Sequence, residues 1–166
     1  MPASKNFLRY AFKTGILAGT LDLAGAIVNH MITFGQFPYK ILEYIASGAF
    51  GKVAMNGSLG YNLWGLFFHY LIAVSFTILY FFIYPGIKLL QKNVLLSAVL
   101  YGLFVWAVTN MILLPLSALQ TPFIPINFIA ASKNAFILII CIGLPVAYFT
   151  KKFYDRYTLF VKAKNT

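Results

Sequence analysis

Long stretches without a charged residue constrain this chain more than any other feature. The stretch from Val53 to Ile87 contains no Asp, Glu, Lys or Arg, and neither do Asn93 to Ser132 and Asn134 to Thr150. Between Thr14 and Tyr39 the only charge is Asp22. Only 10% of the 166 residues are charged, against about 25% in soluble domains. A water-soluble or disordered chain is therefore excluded, and an integral membrane protein remains.

The length of these apolar stretches predicts four membrane-spanning helices, because a helix needs about 20 apolar residues to cross a bilayer. We predict an all-α fold, an integral membrane four-helix bundle that forms a single transmembrane domain over residues 1–166. The predicted spans are residues 11–33, 62–84, 93–116 and 132–150, and a basic tail follows over residues 151–166.

The distribution of basic residues predicts the orientation, because positive charges collect on the cytoplasmic side of a membrane protein. Four spans place both termini and the second connection on one side. That side carries ten basic residues, which are Lys5, Arg9, Lys13, Lys88, Lys92, Lys151, Lys152, Arg156, Lys162 and Lys164. The other side carries only Lys40, Lys52 and Lys133. We therefore expect an N-in/C-in topology.

The first external connection, residues 34–61, is too long to be structureless, so we expect it to contain a short interfacial helix. Pro38 can open this helix and Gly48 can end it, with Lys40 and Glu43 facing water. The second external connection, residues 115–128, contains three prolines, which disfavour a helix. It is apolar enough to pack over the bundle, either as a lid on a cavity or as a plain tether.

The expected partners follow from the same charge pattern. The bilayer surrounds the spans, and the tail mixes basic and aromatic residues, which suits anionic lipid headgroups. Nucleic acid is not expected as a partner, because topology explains the net charge of +10. Association with a second copy, as a homo-oligomer, or with another membrane protein is left open.

Small and polar residues recur along one face of the first predicted span. Gly15, Gly19 and Ala26 are small, and small residues allow another helix to approach closely. Asp22 and Asn29 lie on the same face, so we expect Asp22 to point into the bundle near the middle of the membrane. A carboxyl group at that depth is costly, which makes it a functional candidate.

Polar residues of all four spans fall in the external half of the predicted bundle. At a rise of 1.5 Å per residue they lie within about 10 Å of the midplane or at the external end of the last span. These candidates are Asp22, Asn29, His30, His69, Asn110 and Asn134. The pattern predicts a polar, outward-facing pocket, in which Asp22 with His30 or His69 could form a proton relay.

The functional interpretation is a membrane protein that handles protons or a small solute. Two alternatives stay open: a structural or partner-binding protein without transport, and a b-type haem protein ligated by His30 and His69. No catalytic residue, metal site or cofactor is predicted. The single cysteine, Cys141, excludes an internal disulfide, and hydrolase motifs are absent, so an enzyme is disfavoured.

Several segments together resemble a known family of bacterial membrane proteins. They are GILAGTLDLAGA (Gly15–Ala26), IASGAFG (Ile45–Gly51), HYLIA (His69–Ala73), PLSALQTPFIP (Pro115–Pro125) and GLPVAY (Gly143–Tyr148). The chain resembles the uncharacterised multi-helix inner-membrane proteins that include the YagU proteins. The resemblance implies a location in the bacterial cytoplasmic (inner) membrane, as a multi-pass protein, and supplies no reaction, substrate or cofactor.

Overall fold

Helices make up almost all of the computed structural model, which describes residues 5–35, 37–119 and 128–164, with side chains from residue 6 to residue 159 within these ranges. No strand occurs in these ranges. The helices are α1 (Lys5–Phe34), α2 (Ile41–Phe50), α3 (Leu59–Ile83), α4 (Lys88–Lys92), α5 (Val94–Val108), α6 (Leu114–Leu116), α7 (Phe128–Leu138) and α8 (Leu144–Lys164).

The predicted all-helical fold with four long apolar helices is confirmed. The helices long and apolar enough to cross a membrane are Asn6–Phe34, Leu59–Gly86, Val94–Leu116 and Phe128–Leu159. The first and the last of these helices extend beyond the charge-free stretches that predicted them, because turns of helix with charged residues continue them. The longest extension is at the end of α8, which continues well past residue 150 into the basic tail.

The long helices alternate in direction, so the two chain ends lie at the same end of the bundle. Phe7 near the start of α1 packs against Phe153 of α8, with ring centroids 6.0 Å apart. Both rings pack around Phe81 at the end of α3. We call this end the terminal end and the opposite one the α2 end, because α2 lies there.

Glycines bring α1 and α3 into close contact. A Cβ atom at Gly15 would lie 2.8 Å from the Cα of Val74, and one at Gly19 would lie 3.0 Å from the Cβ of Ala73. Neither glycine could carry a side chain without moving α3. The small face of α1 is thus used within the chain.

A second close pair forms between α5 and the α7–α8 helix. A Cβ atom at Gly102 would lie 2.6 Å from the Cα of Ile139, and one at Gly143 would overlap the carbonyl of Ala98. A third contact joins the two pairs, because Gly25 of α1 faces Cys141 and Ile137. Ala26, which the sequence pattern placed on the packing face, is next to Gly25 and half-buried.

The backbones of α3 and α5 approach each other less closely than those of the glycine pairs. Toward the terminal end, large side chains fill the space between them. The ring centroids of Tyr80 and Tyr101 are 4.4 Å apart, and the Tyr80 hydroxyl hydrogen-bonds the Ser97 hydroxyl. Nearer the α2 end the same gap is not filled.

Two π turns interrupt the third and fourth long helices. They span Thr109–Leu113 and Ile139–Gly143, and each ends two residues before a proline, Pro115 or Pro145. Proline has no N–H group, so an α-helical hydrogen bond is lost one turn earlier. A turn with wider hydrogen bonds accommodates this loss. The fourth long helix is therefore distorted near Gly143–Pro145, and the distortion is a change of helix type that begins before the proline.

The short helix expected in the first connection is present as α2, but its ends and its buried face differ from the prediction. Gly48 lies inside the helix, which instead ends at Phe50 before Gly51, whose φ of 72° requires glycine. Glu43 was expected to face water, but only 3% of its surface is exposed. Its Oε1 accepts a hydrogen bond from Asn62 Nδ2 at 3.5 Å.

The burial of Glu43 follows from how tightly α2 lies on α3. A Cβ atom at Gly65 would overlap the backbone carbonyl of Leu42. At the same end, the backbone N–H of Ala118 donates to the carbonyl of Gly48 at 2.8 Å. The start of the second connection thus reaches α2, while residues 120–127, on which the choice between lid and tether depends, lie outside the described residues.

Replacing Gly65 by alanine should push α2 away from α3. We expect Gly65→Ala to lower the free energy of unfolding by about 1–3 kcal/mol, because the added methyl group overlaps backbone atoms that cannot rotate away. Thermal unfolding in detergent measures this. The matched control is Gly86→Ala, since nothing lies within 4 Å of a Cβ there; we expect a change within about 0.5 kcal/mol. Equal stability of the two variants would contradict the packing described.

Candidate functional site

The unfilled gap between α3 and α5 is a cavity of about 440 Å³, which we call the core cavity. Helices α1, α2, α3, α5 and α7 and both π turns contribute to its wall. Its polar or ionisable lining residues are Asp22, Tyr44, His69, Thr109 and Ser117. The other lining residues are Ile45, Gly48, Ala49, Phe68, Ile72, Ala73, Phe76, Val105, Leu113, Leu114, Leu119, Leu138 and Ile142. The cavity is therefore largely apolar, rather than the polar vestibule that the sequence suggested.

His69 is fixed by the same close contact that joins α1 and α3. Its Nε2 lies 2.8 Å from the backbone carbonyl oxygen of Gly19. A carbonyl oxygen can only accept a hydrogen bond, so Nε2–H is the donor. In a neutral imidazole the other nitrogen, Nδ1, is then an acceptor. His69 therefore brings a hydrogen-bond acceptor to this part of the fold.

Asp22 lines the core cavity without a protein partner for its carboxyl group. No described side chain or backbone group hydrogen-bonds to it. The only ion pair within 4.0 Å among the described residues joins Lys151 to Asp155 on α8, at 3.4 Å. Asp22 and His69 thus lie in one cavity wall without a direct salt bridge. The two groups face a space whose other lining is mostly apolar.

The remaining predicted polar residues do not join Asp22 and His69. Asn110 follows the lining residue Thr109, but its Nδ2 donates to the carbonyl of Trp106 one turn earlier, at 2.8 Å. Asn29 is half-buried and Asn134 is exposed, and neither lines the core cavity. Equal depth along the bundle was therefore a poor guide to which residues meet.

His30 lines a second cavity of about 580 Å³, which we call the outer cavity. It lies where the end of α1 meets the start of α2, and its lining is rich in aromatic rings. The lining residues are His30, Phe34, Phe37, Pro38, Tyr39, Lys40, Ile41, Tyr44 and Met55. His30 and His69 line different cavities, so the structure does not favour a haem held between them.

Tyr44 belongs to both cavities, although no pattern in the sequence points to it. Tyr44 and Gly48 are four residues apart, so they lie on the same face of α2. That face meets the core cavity because Gly65 lets α2 approach α3. The signal in the sequence was Gly65 in α3, but nothing local shows that its contact is the backbone of Leu42 in α2.

Comparison of the chain with protein-family models, curated proteins and solved structures finds no match. The family resemblance drawn from short segments stays a prediction. Among the described residues there is no group of three or more His, Cys, Asp or Glu side chains that could hold a metal ion. The site is therefore characterised by its geometry alone.

The core cavity should admit a small reagent, whereas the tyrosine-filled part of the same gap should not. In a Cys141→Ala background, we expect Thr109→Cys to react with a small neutral methanethiosulfonate about tenfold faster than Ser97→Cys. Thr109 lines the core cavity, and Ser97 is 1% exposed against Tyr80. Mass spectrometry of the purified protein follows the reaction. Equal rates would show that the cavity is closed to solutes.

Proposed function

We propose that this chain is a multi-pass membrane protein with both ends in the cytoplasm, located in the bacterial inner membrane. Four helices long and apolar enough to cross a bilayer support insertion. Many large apolar side chains on their outer faces are exposed, Leu63, Leu95 and Phe136 among them, which suits contact with lipid. The excess of Lys and Arg at the terminal end supports the orientation.

Two lysines in opposite connections test this orientation. In a Cys141→Ala background, we expect Lys52→Cys to be labelled in intact cells by a membrane-impermeant maleimide, and Lys88→Cys only after the cells are permeabilised. Lys52 follows α2 and Lys88 begins α4, at opposite ends of the bundle. The reverse pattern would invert the proposed topology, and labelling of both in intact cells would contradict the membrane-spanning arrangement.

We further propose that the core cavity binds a largely apolar solute that carries one protonated amine. The observation that carries this proposal is the Asp22 carboxyl group, which lines an apolar cavity without a hydrogen bond or salt bridge to any described residue. Asp22 is half-buried, and a carboxylate in apolar surroundings is costly unless an opposite charge or hydrogen-bond donors satisfy it. An ammonium group supplies both, and its apolar remainder suits Phe68, Ile72 and Phe76.

The size of the cavity and the character of His69 support the same class of solute. Small-molecule sites are commonly about 300–1,000 Å³ and mostly apolar, with a few polar groups that fix orientation. The core cavity of about 440 Å³ falls within this range. In a neutral His69, whose Nε2 donates to Gly19, the remaining nitrogen accepts a hydrogen bond.

Proton handling is a second candidate, and the shared wall of Asp22 and His69 is the observation that favours it. These two groups can hold a proton when no solute is bound. His30 is not part of such a relay, since it lines the outer cavity. Partner binding through Gly15 and Gly19 is disfavoured, because α3 of the same chain covers both.

Three naphthalene compounds of nearly equal shape test the solute class: 1-naphthylmethylamine, 1-naphthylmethanol and 1-naphthoic acid. We expect the amine to bind tightest to the protein in nanodiscs. We expect Asp22→Asn to weaken amine binding about 10- to 100-fold, the range for a lost hydrogen bond to a charged group. Binding of the alcohol should change little. Isothermal titration calorimetry measures all three.

The matched control is Asp155→Asn, because Asp155 is an exposed aspartate paired with Lys151 outside the cavity. This variant should bind the amine like the wild type. Equal affinity of the wild type for all three compounds, or an unchanged amine affinity in Asp22→Asn, would contradict the proposed function.

A further inference from the structure

Tyr44 separates two cavities that together run from the surface at the α2 end to the middle of the bundle. Resting on the proposed function above, we propose that the outer cavity is the entrance by which the solute reaches the core cavity, and that Tyr44 is the gate between them. The juxtaposition that carries this is a single side chain that lines both spaces.

The outer cavity is open to the surroundings, and its lining suits a partly apolar solute. Its rim includes Tyr39, which is 79% exposed, and Phe37 and Lys40 are exposed beside it. The rings of Phe37 and Tyr39 have centroids 5.2 Å apart, and His30 lies 4.6 Å from Phe34 by the same measure. Aromatic faces attract both apolar groups and cations.

Close contacts that a solute cannot easily part bound several sides of the core cavity. On one side, α1 and α3 meet backbone to backbone at Gly15. On the other, α5 meets the second π turn at Gly102. Toward the terminal end, Tyr80 and Tyr101 fill the gap, and at the α2 end the Ala118–Gly48 hydrogen bond joins the second connection to α2.

The gate can open by a side-chain rotation without moving α2. The α2 backbone is held at Gly65, so a hinge motion of the whole helix would break that close fit. Tyr44 itself is 43% exposed, so its ring has room to turn. Rotation of a partly exposed side chain takes about picoseconds to nanoseconds, which is fast compared with ligand release.

Lys40 sets a charge preference for this entrance. It is exposed and lines only the outer cavity, whereas Asp22 lines only the core cavity. A positive charge at the entrance slows the approach of cations and does not slow an uncharged molecule. The entrance therefore slows the approach of the protonated solute, which is the form that the core cavity binds best. Added salt should weaken this effect.

Stopped-flow fluorescence with 1-naphthylmethylamine tests the gate in the full-length protein in nanodiscs. We expect Tyr44→Ala to raise both the association and the dissociation rate constants about tenfold, because the missing ring no longer blocks the passage in either direction. Tyr44→Trp should slow both rates. The matched control, Tyr39→Ala, removes an aromatic ring from the outer cavity alone and should leave the dissociation rate unchanged.

A second variant tests the route through its charge. Lys40→Gln should raise the association rate of the permanently charged trimethyl-(1-naphthylmethyl)ammonium about threefold at low salt, and not at high salt. Unchanged rates in the Tyr44 and Lys40 variants, with amine binding intact and dependent on Asp22, would overturn the entrance and indicate access from the bilayer. Absence of saturable amine binding in the wild type would overturn the proposed function and the entrance together.

Discussion

The close approach of helix backbones at glycines decides where this molecule has free space. Gly15 and Gly19 draw α1 against α3, while Gly102 and Gly143 draw α5 against the second π turn. In a bilayer, dispersion forces and interhelical hydrogen bonds stabilise such contacts. Lipid is as apolar as the helices, so the hydrophobic effect does not drive the helices together. No glycine contact joins α3 to α5, so the gap between the two pairs must be filled by side chains or left as a cavity.

The polar groups of the core cavity depend on this arrangement. Gly19 lets α3 come near enough for His69 to reach a backbone carbonyl that α1 already uses in its own helix. The same contact presents Asp22 to the cavity rather than to a neighbouring helix. A carboxyl group in such a place raises the free energy of the empty protein. A ligand that satisfies this carboxyl group recovers part of that cost. Asp22 alone can therefore decide which solutes bind.

The number of long helices was predictable from the sequence, because a charged residue inside the hydrocarbon layer is costly wherever the helix packs. The composition of the site was only partly predictable. Depth follows from counting residues, but direction around the axis depends on packing: His69 turns to Gly19, whereas Asn110 turns to its own backbone at Trp106. The positions of Tyr44 and Glu43 were not predictable, because they depend on the contact of α2 with Gly65. That contact joins segments more than twenty residues apart.

The π turn at Ile139–Gly143 makes the residue count of the last helix as important as its composition. One residue more or less in a helix rotates everything beyond it by about 100°. A deletion within the π turn would be taken up by its conversion to an α-helical turn, but a deletion after it would swing Tyr154 away from the Phe81 carbonyl, which it reaches at 2.8 Å. Phe153 would leave the ring cluster around Phe7 in the same movement. A length change that is harmless in a loop would here uncouple the two chain ends.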